Sequence, residues 1–167
     1  MATRSTTNTK RKFAQVPEDV DLNMFIPVIN GFHGMLVYVS TKTHEEYIWE
    51  RFGDIQYLEL KELRGAKSTN KDMYINNYFM FDDEFSWVIP YLGLEPYYEN
   101  AVDVDGMTAM FSKSPTEVKK CIKDMSKGQK KSLSYYAREK VHNGEIDSLK
   151  LIKALEESLG ITLIETE

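Results

Sequence analysis

The hydrophobic period of the chain changes once, and that change limits the fold more than any other feature. From Phe25 to Leu58, apolar residues come in short β-branched or aromatic runs separated by turn residues. From Ser114 to Gly160 they recur at helical spacing between helix start and stop signals. A period near 2 followed by one near 3.6 predicts strands first and helices after, the order of an α+β protein. The 167 residues, 42% of them hydrophobic, suffice for one domain or two small lobes around a real core.

In the first half, Met35-Leu36-Val37-Tyr38-Val39-Ser40 reads as the strongest strand. Glu46 to Glu50 and Ile55 to Leu58 follow as further strands of a small antiparallel meander, with turns at Asn30-Gly31, Gly34, Thr41 to His44 and Gly53-Asp54. Phe25 to Ile29 is apolar too, but Pro27 confines it to an edge or a bulge. Leu58 to Arg64 predicts a short helix stopped by Gly65, and residues 66–72 read as a loop. Met73 to Phe81 fits strand or helix. Asp82-Asp83-Glu84 opens a helix through Phe85, Trp87, Val88 and Ile89 to Leu92, distorted at Pro90 and ended by Gly93. Leu94 to Asn100 is a connector, and Asp105 caps a short helix holding Met107, Met110 and Phe111.

The last third carries sharper signals. Ser114-Pro115-Thr116-Glu117 is a capping box with Pro at the first helical position, before the apolar stripe Val118, Cys121, Ile122 and Met125. Lys127-Gly128 interrupts. A second helix holds Leu133, Tyr136, Ala137 and Val141 and stops at Asn143-Gly144. Asp147 caps a third, with Leu151, Ile152, Leu155 and Leu159 inward, Gly160 as stop and Ile161 to Ile164 packing back. The expected division is a basic tail over 1–21, a β-rich lobe with short helices over 22–100, and a lobe of three to four short helices over 101–167. Residues 1–15 are expected to be disordered in the isolated protein and ordered in an assembly.

Net charge is −5, but its distribution is segregated. Residues 1–12 hold four bases and no acid, residues 13–112 carry −11, residues 113–142 carry +6 and residues 143–167 carry −4. Such asymmetry predicts electrostatic partners within the fold or outside it. A single cysteine, Cys121, excludes an internal disulfide and suits a reducing compartment. No apolar run reaches the ~20 residues of a membrane span, and no secretory signal is expected.

Candidate chemical motifs fail on spacing. Gly65-Ala66-Lys67-Ser68-Thr69 lacks the contiguous Gly-Lys-Ser and the earlier glycine of a phosphate loop. Asp103-Val104-Asp105-Gly106 resembles the front of a calcium loop, but Ala101 and Ser112 stand where its first and last ligands belong. His33 and His44 read as surface turn residues, and no ligand set forms around them or His142. Cys121 sits on an apolar stripe as a small buried hydrophobe, and Trp49 and Trp87 read as core. No catalytic residue, metal or cofactor is expected, and the chain does not read as an enzyme. What remains is a basic face. Lys119, Lys120 and Lys123 lie opposite the apolar stripe of the first C-terminal helix, and Lys127, Lys131 and Arg138 share one stripe of the second.

The run Asn30-Gly31-Phe32 through Gly34 to Ser40, with Tyr47-Ile48-Trp49 and Phe52-Gly53-Asp54-Ile55-Gln56-Tyr57-Leu58, resembles small uncharacterised structural proteins of tailed bacteriophages. Asn143-Gly144-Glu145-Ile146-Asp147-Ser148 followed by Ile152-Lys153-Ala154-Leu155 extends the resemblance, which covers roughly residues 22–164. It implies a virion component, made in the host cytoplasm, working through protein–protein contacts and oligomeric in its assembly. It brings no catalytic residues. On this reading Lys119, Lys123, Lys127, Lys131 and Arg138 bind an acidic protein partner, and the tail docks through Arg4, Lys10, Arg11 and Lys12. The alternative is a small nucleic-acid-binding regulator using the basic helices 115–142 to track phosphates.

Overall fold

The computed structural model describes residues 11–165. The protein is α+β, with antiparallel sheet in its N-terminal half and helices in its C-terminal half. Five strands, β1 (Phe25–Asn30), β2 (Leu36–Val39), β3 (Glu46–Trp49), β4 (Ile55–Glu59) and β5 (Phe79–Met80), form two sheets ordered β4-β1-β5 and β2-β3. Pairing skips a neighbour: β1 runs against β4, with Ile26 opposite Leu58 and Val28 opposite Gln56.

Pro27 therefore lies in a middle strand, not at an edge or bulge. Hydrogen bonds from Asn30 N–H to Asp54 O and from Leu60 N–H to Met24 O give the even positions of β1 to β4. The missing N–H of Pro27 faces the other side, where β5 reaches only Ile29 and Asn30.

The inner sheet residues Ile26, Val28, Leu36, Tyr38, Trp49 and Leu58 close one core with the helical segments that follow. Trp49 is fully buried, and its indole N–H donates to Val28 O at 2.9 Å. The Tyr74 and Tyr98 hydroxyls donate to Leu63 O and Phe79 O, both at 2.6 Å. Large aromatics thus bury their rings while their polar tips stay bonded.

Helix α1 (Leu60–Thr69) runs past Gly65 and takes up most of the expected loop. Leu60, Leu63 and Ala66 are buried at helical spacing, and that packing outweighs the ~1 kcal/mol a mid-helix glycine costs. A one-turn α2 (Asp72–Ile75) follows. The helix expected over 82–92 is shorter: Asp82 Oδ1 accepts Phe85 N–H at 2.9 Å, residues 83–87 are turns, and only α3 (Val88–Tyr91) is helical. The connector holds a one-turn α4 (Glu95–Tyr98). Helix α5 (Val104–Thr108) is capped by Asp103, which accepts Gly106 N–H at 2.6 Å, and not by Asp105.

After a 3-10 turn (Ala109–Ser112), α6 (Pro115–Lys123) starts as its capping box predicts, with Ser114 accepting Glu117 N–H. α7 (Lys127–His142) begins at Lys127, so Lys127-Gly128 opens the helix instead of interrupting the chain before it. α8 (Leu149–Leu159) takes Ser148 as its cap, one residue after the expected Asp147, because the Ser148 hydroxyl reaches Leu151 N–H at 3.4 Å. Beyond Gly160, Leu163 N–H donates to Glu156 Oε1 at 2.7 Å, folding the end of the chain back as expected. A second core gathers Met107, Met110, Val118, Ile122, Leu133 and Leu155, with Cys121 half-buried against it.

One face of α7 joins the two cores. Gly128 lies against Asn76. The Gln129 side chain accepts Val102 N–H at 3.0 Å and donates to Val102 O at 2.6 Å. Ser132 Oγ accepts His33 N–H at 2.7 Å and donates to Gly31 O at 3.3 Å. Residues 11–21, assigned to the tail, run over the first core, where Phe13, Ala14, Val16 and Val20 pack and Ala14 N–H donates to Ser86 Oγ at 2.7 Å. Residues 1–10 lie outside the described residues.

Candidate partner-binding surface

The predicted basic face divides between two helices. Lys119 is on α6 and forms an ion pair with Glu157 of α8 at 2.7 Å. The bond to Lys119 holds the Glu157 carboxyl below its ordinary range. Lys123, Lys127, Lys131 and Arg138 are exposed and have no ion pair among the described residues. The last three follow one stripe of α7, which also bears Tyr135, 43% exposed. Of the tail residues, the Arg11 guanidinium donates to Phe81 O at 3.3 Å and Lys12 is exposed, while Arg4 and Lys10 lie outside the described residues.

Four ion pairs form among the described residues: His33–Glu139, Lys61–Glu59, Lys119–Glu157 and Lys140–Glu145. None joins a cation of residues 113–142 to an acid of residues 13–112.

His33 stays in the bend at residues 32–34, but its side chain is not free on the surface. Its Nε2 lies 2.7 Å from Glu139 Oε2, its ring is 4.3 Å from that of Tyr136, and its side chain is 20% exposed. No local signal marks this contact, since Glu139 stands 106 residues away. His44 stays in its exposed turn. Trp87 is 4% exposed, in the core as expected.

The acidic segments 82–84 and 103–105 meet at one cleft of about 250 Å³, lined by Asp82, Asp83, Asp103 and Asp105 together with Arg11. Asp82 and Asp103 spend an oxygen each on backbone N–H groups there. Among the described residues, no three His, Cys, Asp or Glu side chains gather as a metal site.

The sheets add a feature the sequence did not mark as functional. Strand alternation buries Leu36, Tyr38 and Trp49 and turns Val37, Val39 and Ile48 outward, each about 40% exposed. Val37 stands opposite Ile48, and Val39 opposite Glu46. Phe25 and Tyr57, 60% and 61% exposed, lie on the outer face of the other sheet. A continuously apolar run signals a strand, yet only the sheet pairing decides which half of it stays in water.

Comparison with family models, curated proteins and solved structures finds no match to this chain. Among the described residues, no helix is long and apolar enough to cross a membrane.

Proposed function

We propose that this protein is a non-enzymatic structural or assembly component of a bacteriophage particle, built in the host cytoplasm. On this reading it acts through contacts with copies of itself and with other particle proteins. The observation that carries the reading is the exposed basic stripe of α7. Among the described residues, no ion pair joins Lys127, Lys131 or Arg138 to an acid, which leaves that stripe available to a neighbour. Exposed pairs contribute only ~0–1 kcal/mol each, so they orient an interface that apolar contacts must hold. The outward Val37, Val39 and Ile48, with Phe25 and Tyr57, supply apolar surface of that kind.

Reversing the exposed Lys123 and Lys127 to Glu tests this, with self-association and DNA binding measured side by side. The expected result is concentration-dependent association of the wild type that weakens with salt and is reduced in the variant. A wild type that stays monomeric but binds DNA tightly, with binding abolished in the variant, would replace this reading with the nucleic-acid-binding one.

A further inference from the structure

The outward row of β3 and its continuation reads Glu46, Ile48, Glu50: acid, apolar, acid, all exposed. At the rise of an extended strand the backbones of Glu46 and Glu50 stand about 13 Å apart. Val37 and Val39 widen the apolar centre across the β2–β3 ladder, and no Lys or Arg lies on this row. The exposed stripe of α7 has the inverse pattern of Lys131, Tyr135, Arg138: base, aromatic, base. Positions i, i+4 and i+7 share one helix face, and the two cations are separated by about 10 Å along the axis. Long Lys, Arg and Glu side chains span the remaining few ångströms. Glu139, next to Arg138 in sequence, is drawn to His33 at 2.7 Å.

We propose that these two patches are the halves of one contact between copies of this chain. Tyr135 of one copy seats on Ile48, Val37 and Val39 of the next, while its Lys131 and Arg138 face Glu46 and Glu50. The inference deepens the assembly reading and rests on it, naming the partner as a second copy and the surface as the outer face of β2–β3. Each copy carries both halves, so the contact either repeats head-to-tail into a ring or a filament or is made twice across a two-fold axis, and the mass at the plateau of the concentration series tells the two apart.

The test is sedimentation velocity of the full chain over a concentration series, at ~0.05 M and ~0.5 M salt. Two double variants are compared with the wild type, Glu46→Lys/Glu50→Lys and Lys131→Glu/Arg138→Glu. All four sites are exposed, and circular dichroism checks that each variant folds. Each variant alone is expected to lose about tenfold or more in self-association at low salt. An equimolar mixture of the two is expected to regain association, because every contact between unlike copies again joins opposite charges. Tyr135→Ala weakens association while leaving its salt dependence in place. If the wild type associates and both variants associate equally well, this contact is wrong and assembly proceeds through another surface. Failure of the mixture to recover overturns it as well. A wild type that is monomeric throughout refutes both the contact and the self-assembly it rests on.

Discussion

Gly128 is the position at which the joint between the two cores is most sharply testable. A Cβ added there would stand 2.2 Å from Asn76 Cβ, 2.4 Å from Asn76 O and 2.7 Å from Asn76 Cα. All three atoms are fixed by the backbone, so no rotamer change relieves the overlap, and α7 or the turn at 76–77 must move. That turn is itself constrained: Asn77 has φ 56 and its Nδ2 donates to Tyr97 O at 2.8 Å. Helix propensity favours Ala over Gly by ~1 kcal/mol, while overpacking costs about 1–3 kcal/mol. Overlaps this deep belong at or beyond the top of that range, so Gly128→Ala should destabilise by about 2 kcal/mol, a fall of about 4–8 °C in Tm for a chain of this size.

Gly65→Ala is the internal control. Gly65 is also inside a helix, but an added Cβ there meets nothing within 4 Å. It should stabilise by ~0.5–1 kcal/mol. Denaturant unfolding followed by circular dichroism gives both values. A Gly128→Ala protein as stable as wild type, or stabilised like Gly65→Ala, would refute the close approach of α7 to Asn76.

Trp49→Ala and Trp87→Ala should each cost ~3–5 kcal/mol, since the two side chains are 0% and 4% exposed; a loss near zero at either site in the same unfolding assay would show that it is not core. Burial, aided by the bond to Glu62, raises the Tyr38 phenol. Burial also raises Tyr74 and Tyr98, and burial with the Glu45 bond pushes Tyr47 up to about 12. The folded chain holds these protons more tightly than the unfolded chain does. This contribution to stability is therefore full below the ordinary phenol value of about 10 and is lost as pH rises above it. Ultraviolet titration should show the fully buried Tyr74 and Tyr98 ionising only with unfolding; their ionisation in a chain still folded by circular dichroism would contradict their burial.

The sequence by itself determined what neighbouring residues decide. Ser114 and Pro115 start α6, Gly160 ends α8, and the change of hydrophobic period orders strands before helices, because caps, turns and periodicity act over a few residues. Where two local signals competed, only packing chose between them: Gly65 did not stop α1 because Ala66 had a core to enter. Asp147 and Ser148 are both good caps, and the hydroxyl that reached Leu151 N–H won. The joint between the lobes was out of reach of such reasoning. Gly128 reads as a helix breaker until Asn76 is placed against it, and His33 reads as a turn residue until Glu139 and Tyr136 arrive from more than a hundred positions away. The candidate interface divides in the same way. The basic stripe of α7 was legible from helical spacing, because exposed charge follows the period. Its proposed counterpart, Glu46, Ile48 and Glu50 beside Val37 and Val39, was not, because a strand has two faces and only its sheet partners and the core beneath decide which one meets water.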